Sequence, residues 1–244
     1  MSEIKIGEQA KEILSSFANI DKTIILNSEA LFTKNDALMG LYTLPEGEVE
    51  VDKEIPIDDL KEFLSIEELL DEDSKSIYRE NEAIVFKDDK KKFTLAPGYM
   101  ELMKKLNDKG LKLFEESEDK ICKFVITETD ISSMKKYRSI ISAKEVYIVS
   151  EDNSIYVELT NVDNDNNSRI KLEGNIYTDE DFKLQISDRH TEPFFDLIYN
   201  GIYEIEIRTT KVQDKDTLLI LIKSIDINSD ENGVLVYFTA KRKD

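Results

Sequence analysis

The hydrophobic positions of this chain switch repeatedly between two periods. One is the three-to-four spacing of an amphipathic helix; the other is the alternation of a half-buried strand. Ala10, Ile13, Leu14 and Phe17 recur at three and four, predicting a helix over residues 7–19. Residues 23–33 and 37–44 read as two strands, with Asn35-Asp36 as their turn. Glu48-Val49-Glu50-Val51-Asp52 alternates, predicting a strand over 48–55 with one wet, acidic face. Pro56 suits the first turn of a following helix, where its missing N–H costs nothing, and Leu60, Phe63 and Leu64 supply that helix's apolar stripe. Residues 76–86 and 91–96 read as a closing hairpin, turning at Asp88-Asp89-Lys90.

Pro97-Gly98 ends this pattern, and the mixed stretch 97–120 reads as a connector holding a short helix at 99–106. Beyond it the pattern predicts a strand at 121–127 and a helix at about 129–143. Strands follow at 145–150, 154–160, 169–176 and 182–187. Thr191 suits the N-cap of a helix Pro193–Tyr199, with Gly201 as its stop. Three β-rich runs, 202–210, 216–227 and 233–240, finish the chain. The class is α+β, with few helices and many antiparallel strands.

The same order of elements occurs twice. Leu14-Ser15-Ser16-Phe17 is matched by Ile131-Ser132-Ser133-Met134, and Ile24-Ile25-Leu26-Asn27-Ser28 by Tyr147-Ile148-Val149-Ser150. Pro56-Ile57-Asp58-Asp59-Leu60 is matched by Pro193-Phe194-Phe195-Asp196-Leu197. Three matches in one order argue for two like-folded domains, expected at 1–110 and 111–244 with the connector shared between them.

Composition narrows the function. The 244 residues carry 52 acidic against 33 basic side chains, a formal charge of −19, which favours solubility and opposes nucleic acid unless the basic residues gather on one surface. Between residues 46 and 90 there are 17 acidic and six basic residues, reading either as a solvated surface or as an outer face that repels DNA. The single Cys122 excludes an intrachain disulfide and suits a reducing compartment. No apolar run reaches the ~20 residues of a membrane helix, and Met1-Ser2-Glu3-Ile4-Lys5 lacks a signal-peptide core, so a cytoplasmic protein is expected.

Signals for catalysis are poor. His190 is the only histidine and has no nucleophile signature beside it, and no G-x-S-x-G, P-loop or G-x-G-x-x-G is present. Asp163-x-Asp165-x-Asn167 and Asp226-x-Asn228-x-Asp230 begin like calcium loops, but both lack the turn glycine and the closing glutamate. No enzyme activity, cofactor or metal is expected.

The counterweight to the acidity is the helix near 128–144, with Lys135, Lys136, Arg138 and Lys144 against Glu128 and Asp130. Ile131, Met134 and Ile141 should face the core. Ser132, Lys135, Lys136, Ser139 and Ala143 fall on a neighbouring small or basic arc, while Arg138 lies nearer the apolar side. The matching arc of the first helix is Lys11, Ser15, Ala18 and Asn19. Such an arc offers phosphate contacts without reading sequence, or is a plain polar helix face.

Several stretches resemble the sliding clamps of T-even-type bacteriophages. They are Ile13-Leu14-Ser15-Ser16-Phe17-Ala18-Asn19-Ile20, Ile24-Ile25-Leu26-Asn27-Ser28, Asp59-Leu60-Lys61-Glu62-Phe63-Leu64 and the helix from Asp130 to Ile141. The resemblance implies two similar DNA-clamp domains, each with two helices packed on antiparallel sheet. Three chains would assemble into a ring that encircles double-stranded DNA. It implies a processivity factor that tethers a replicative DNA polymerase and is opened by an ATP-dependent clamp loader. The DNA face implied is Lys11, Lys135, Lys136, Arg138 and Lys144, although Ser15 and Ser139 stand where the family has basic residues. The subunit interface implied joins the strand of Phe93 and Leu95 to an edge strand carrying Leu184 and Ile186. A partner peptide is expected on Leu111, Leu113 and Phe114 of the connector, with Val236 and Phe238 as a neighbouring wall, unless these residues are core or linker packing. Two other readings stay open: an acidic interaction protein that mimics DNA or sequesters a partner, and a small hydrolase using buried carboxylates.

Overall fold

The computed structural model describes residues 2–35, 38–105, 119–164, 166–172, 177–178, 181–186, 201–212, 215–225 and 234–242. The chain divides into two units: Met1–Asn35 with Gly40–Leu106, and Asp36–Met39 with Asn107–Asp244.

The first half runs β1 (Ser2–Glu3), β2 (Lys5–Ile6), α1 (Glu8–Phe17), β3 (Ile24–Leu26), β4 (Ala30–Lys34) and β5 (Leu38–Thr43). It continues with β6 (Val49–Glu50), β7 (Ile55–Ile57), α2 (Leu60–Glu68), β8 (Ser76–Glu80), β9 (Ala83–Lys87) and β10 (Lys92–Leu95). The second half runs β11 (Asp119–Ile126), α3 (Glu128–Ile141), β12 (Glu145–Glu151), β13 (Ser154–Thr160) and β14 (Asn167–Lys171). Then come β15 (Tyr177–Thr178), β16 (Phe182–Ile186), β17 (Tyr203–Val212), β18 (Lys215–Ser224) and β19 (Val234–Arg242).

The repeat extends to strand pairing. A strand ahead of the first helix pairs antiparallel with the strand that opens the closing meander: β1 with β8, and β11 with β17; β2, between β1 and α1, pairs with β6. The strand after the helix pairs with the strand two-thirds of the way along: β3 with β7, and β12 with β16. The closing meanders are β8–β9–β10 and β17–β18–β19. The two units share these antiparallel pairings, in an α+β fold of helices packed on antiparallel sheet.

Local chemistry explains where elements depart from the hydrophobic pattern. The run 23–33 is two strands, because Asn27 Oδ1 accepts from the backbone N–H groups of Glu29 (2.9 Å) and Ala30 (2.8 Å) and turns the chain between β3 and β4. Pro56 does not open α2. It lies in β7 opposite Ile25, and Asp59 caps the helix, its carboxylate accepting from Glu62 N–H at 3.0 Å. The stretch 76–86 is a hairpin of its own, turning on Asn81 (φ 48°) and Glu82 (φ 67°). The equivalent tight turn between β12 and β13 uses Asp152 (φ 49°) and Asn153 (φ 57°). A glutamate in the left-handed region gives the sequence no turn signal. The expected helix at 99–106 is a single 3-10 turn, Met100–Leu102, within the described part of the connector. The expected helix Pro193–Tyr199 lies outside the described residues.

In the first unit α1 and α2 pack side by side. Phe63 of α2 meets Phe86 of β9 edge-on, with ring centroids 5.1 Å apart. Phe17 of α1 lies so close to β5 that a Cβ at Gly40 would sit 2.7 Å from its ring. In the second unit α3 packs over β13 and β14, burying Ile131 and Met134. Cys122, Phe124 and Ile126 of β11 and Ile205 and Ile207 of β17 are fully buried.

Candidate nucleic-acid interface

The basic helix α3 is set by its ends. Thr127 and Asp130 form a reciprocal capping box: Asp130 Oδ2 accepts from Thr127 N–H at 2.9 Å, and Thr127 Oγ1 from Asp130 N–H at 3.3 Å. The helix stops at Ser142, in the left-handed region at φ 52°. Asn161 then ties the end down, its Nδ2 donating to the Ile141 carbonyl at 2.9 Å. With Ile131 and Met134 inward, Ser132, Lys135, Lys136, Tyr137, Ser139 and Ile140 are exposed. Arg138 is half-buried, in keeping with its place nearer the apolar arc. Ala143 is 7% exposed and belongs to the core rather than to the exposed arc, because the chain has left the helix before reaching it. Lys144 is exposed, and its Nζ lies 2.5 Å from Asp163.

Lys11 has a different environment. Its ammonium lies 2.7 Å from Glu8, 3.0 Å from Glu67 and 3.7 Å from Glu72, and its side chain is 17% exposed. Burial works against its charge, but the hydrogen bonds to Glu8 and Glu67 outweigh that and hold its pKa above the ordinary lysine value. Of its proposed arc, Ser15 and Asn19 are exposed and Ala18 is buried. The exposed charges on this helix pair are Glu8 and Glu12 on α1 and Lys61, Glu62 and Glu68 on α2.

Among the described residues the two larger sheets end in β1 and β10, and in β14 and β15. Among the described residues β10 pairs only with β9, leaving Phe93 and Leu95 half-buried on an open edge. The strand of Leu184 and Ile186 is not an edge. β16 pairs with β12 along one side and with β19 along the other, and both side chains are 1% exposed. The nearer open edge is β14, which among the described residues pairs only with β13 and alternates exposed Asn167, Arg169 and Lys171 with half-buried Ser168 and Ile170. Arg169 is anchored across the sheet, 2.5 Å from Glu151 and 3.9 Å above the Tyr156 ring. Both β14 and β16 alternate in sequence, so hydropathy alone does not tell an edge from an interior strand.

Leu111, Leu113 and Phe114 lie outside the described residues, as does His190. Val236 and Phe238 are in β19, opposite Ile222 and Ile220 of β18. β19 is an interior strand, between β18 and β16. Cys122 is buried, which pushes its thiol up to about 12 and leaves it a packing group.

The fold is shared over its whole length with solved structures. PCNA from Thermococcus kodakaraensis matches 99% of this chain and 99% of its own with a TM-score of 0.64, at 14% identity. A putative DNA polymerase III beta subunit from Eubacterium rectale ATCC 33656 matches 99% of this chain and 65% of its own, with a TM-score of 0.62 at 12% identity. The chain has the sliding-clamp fold. No protein-family model and no curated protein matches the sequence.

Within that fold the described residues contain no cluster of three or more His, Cys, Asp and Glu side chains placed to hold a metal ion. No described helix is long and apolar enough to cross a membrane. What the hydropathy pattern missed on α3 is the exposure of Tyr137 (43%) and Ile140 (65%), two apolar side chains a turn apart beside Lys136.

Proposed function

We propose that the chain is a DNA sliding clamp: a non-enzymatic ring that encircles double-stranded DNA and tethers a replicative DNA polymerase. The observation that carries this reading is the structural match over 99% of this chain and 99% of the PCNA chain. The exposed lysines of α3 support it, since Lys135 and Lys136 can meet phosphates without reading bases. Arg138 and Lys144 flank them. Lys11, shared among carboxylates, holds the helix pair together rather than meeting DNA.

Within this class we infer a homotrimer of the T-even phage type, acting in the host cytoplasm and loaded by an ATP-dependent clamp loader. A head-to-tail contact that closes makes a ring. The open edges of β10 and β14 are suited to that contact, through Phe93 and Leu95 on one chain and Ile170 on the next. The proposal includes a partner-peptide site drawn from Leu111, Leu113, Phe114, Val236 and Phe238.

Retention on DNA tests the reading. The protein is assembled on nicked circular duplex and separated from free protein by gel filtration at high salt. A clamp stays with the circle and is released when the circle is linearised. Equal loss from both forms would favour the acidic interaction protein instead.

A further inference from the structure

α3 shows solvent something that the helices of the first unit do not. α1 exposes Glu8, Glu12 and Ser15, and α2 exposes Lys61, Glu62, Ser65 and Glu68, all of them polar. α3 exposes Tyr137 and Ile140 among its polar residues. Packing does not require either one, because the core side of α3 is Ile131 and Met134. An apolar side chain left in water adds nothing to the hydrophobic drive for folding.

Helical geometry orders this face, since each residue advances about 100° around the axis. Ser132 and Ser139 fall together, Lys136 comes next, then Ile140, and Tyr137 lies beyond it. Two hydroxyls and an ammonium therefore run beside a row of two apolar side chains. Among the described residues Lys136 makes no ion pair, whereas Lys135 and Arg138 are engaged in contacts of their own and Lys144 is paired with Asp163. Lys136 is thus the cation left to meet a ligand, and it borders the apolar row.

Duplex DNA has no use for that row. Its bases are stacked inside, so a helix lying against its backbone meets phosphates and sugars. An unpaired strand presents phosphates and open base faces together, and an aromatic side chain beside a cation suits both.

Resting on the clamp reading, we propose that α3 also binds single-stranded DNA. A base stacks on the Tyr137 ring and packs against Ile140, the adjoining phosphate meets Lys136, and the Ser132 and Ser139 hydroxyls donate to the backbone. The contact is indifferent to sequence, because every base has a face to stack and an ammonium reads no base edge. It gives the protein a hold on DNA wherever the duplex is open, a distinction that phosphate contacts alone do not make.

The test is fluorescence anisotropy at low salt, with labelled oligothymidine and a labelled duplex of the same length. It uses the full chain and the variants Tyr137→Ala, Tyr137→Phe and Lys136→Gln, with circular dichroism confirming each fold. Tyr137→Ala should weaken oligothymidine binding about tenfold and leave duplex binding unchanged. Tyr137→Phe should bind like the unaltered protein, since the ring stacks and the hydroxyl does not. Lys136→Gln should weaken both ligands. The chain contains no tryptophan, so Tyr137→Trp adds a single reporter, whose emission oligothymidine should quench and the duplex should not. Oligothymidine binding that Tyr137→Ala leaves unchanged, or an equal loss on both ligands, overturns the stacking site. So does undetectable oligothymidine binding by the unaltered protein. These results leave the clamp reading standing, because retention on circular duplex is measured separately. Loss from the circle would remove that reading, and with it this proposal.

Discussion

The ammonium of Lys11 on α1 lies 3.0 Å from Glu67 on α2, and that carboxylate is only 5% exposed. Lys75 shares it from the other side at 2.5 Å. The pair turns a residue that reads as a DNA contact into a latch between two helices. Lys11→Met should therefore lower stability by about 1–2 kcal/mol, less than for an isolated buried pair because Lys75 remains. Duplex affinity should stay within error of the unaltered protein. The folded pKa of Lys11 is raised, so its contribution is complete below the ordinary lysine value and is lost only as pH rises through the folded one. Denaturant melts should then show the same Lys11→Met deficit at every pH from neutral to mildly alkaline.

Glu206 of β17 is a buried carboxylate held among cations. It is 5% exposed, with Lys120 Nζ at 3.0 Å and Arg208 Nε at 2.7 Å. Burial pushes its pKa up, but the hydrogen bonds from Lys120 and Arg208 outweigh that and hold it below the ordinary glutamate value. A lowered folded pKa contributes stability above the unfolded value, and that stability is lost as pH falls through the folded one. Glu206→Gln should cost about 1–2 kcal/mol at neutral pH, discounted for the exposure of Lys120. The cost should shrink steadily as melts are taken below the ordinary glutamate pKa. A cost independent of pH would mean that packing, not charge, is lost.

α1 is capped from a distance. Its N-cap, Gly7, has no side chain, and Glu48 Oε2 accepts from Ala10 N–H at 2.9 Å instead. A Cβ on Gly7 would sit 2.5 Å from that oxygen. Glu48→Ala should cost about 1 kcal/mol, the usual worth of a cap. Gly7→Ala should reproduce that loss by pushing the carboxylate aside. The double variant should cost little more than either single one, since both remove the same bond. Additive losses in urea melts would separate the two residues.

How much of this was legible in the sequence depended on how local the cause was. The β17–β18–β19 meander showed itself as three long β-branched runs, and α3 as a periodic stripe between Thr127 and Ser142. The α+β class followed from these. The break at Asn27 and the turn at Asn81-Glu82 were hidden because one hydrogen-bonding asparagine or one left-handed glutamate interrupts a strand without changing its hydropathy. Pro56 misled because a proline suits a helix start and a strand equally, and only the cap at Asp59 decides. The open edge and the latch of Lys11 were out of reach for another reason. Which strand is outermost, and which carboxylate meets which lysine, depend on pairs separated by dozens of residues.

The edge strands give a prediction about assembly. Placing a carboxylate on either proposed contact strand, by Phe93→Asp on β10 or Ile170→Asp on β14, should dissociate the proposed ring at micromolar concentration and leave monomers with native circular dichroism. Leu184→Asp, in the interior of the sheet, should instead unfold the second unit. Intact assembly by both edge variants in size-exclusion chromatography would move the interface elsewhere.

Sedimentation equilibrium tests the central claim most directly, since the proposed ring forms only if several chains join. The account predicts a single species with the mass of three 28.2 kDa chains, stable on dilution to low micromolar concentration at moderate salt. A species with the mass of one chain, persisting at the highest concentration reached, would contradict it.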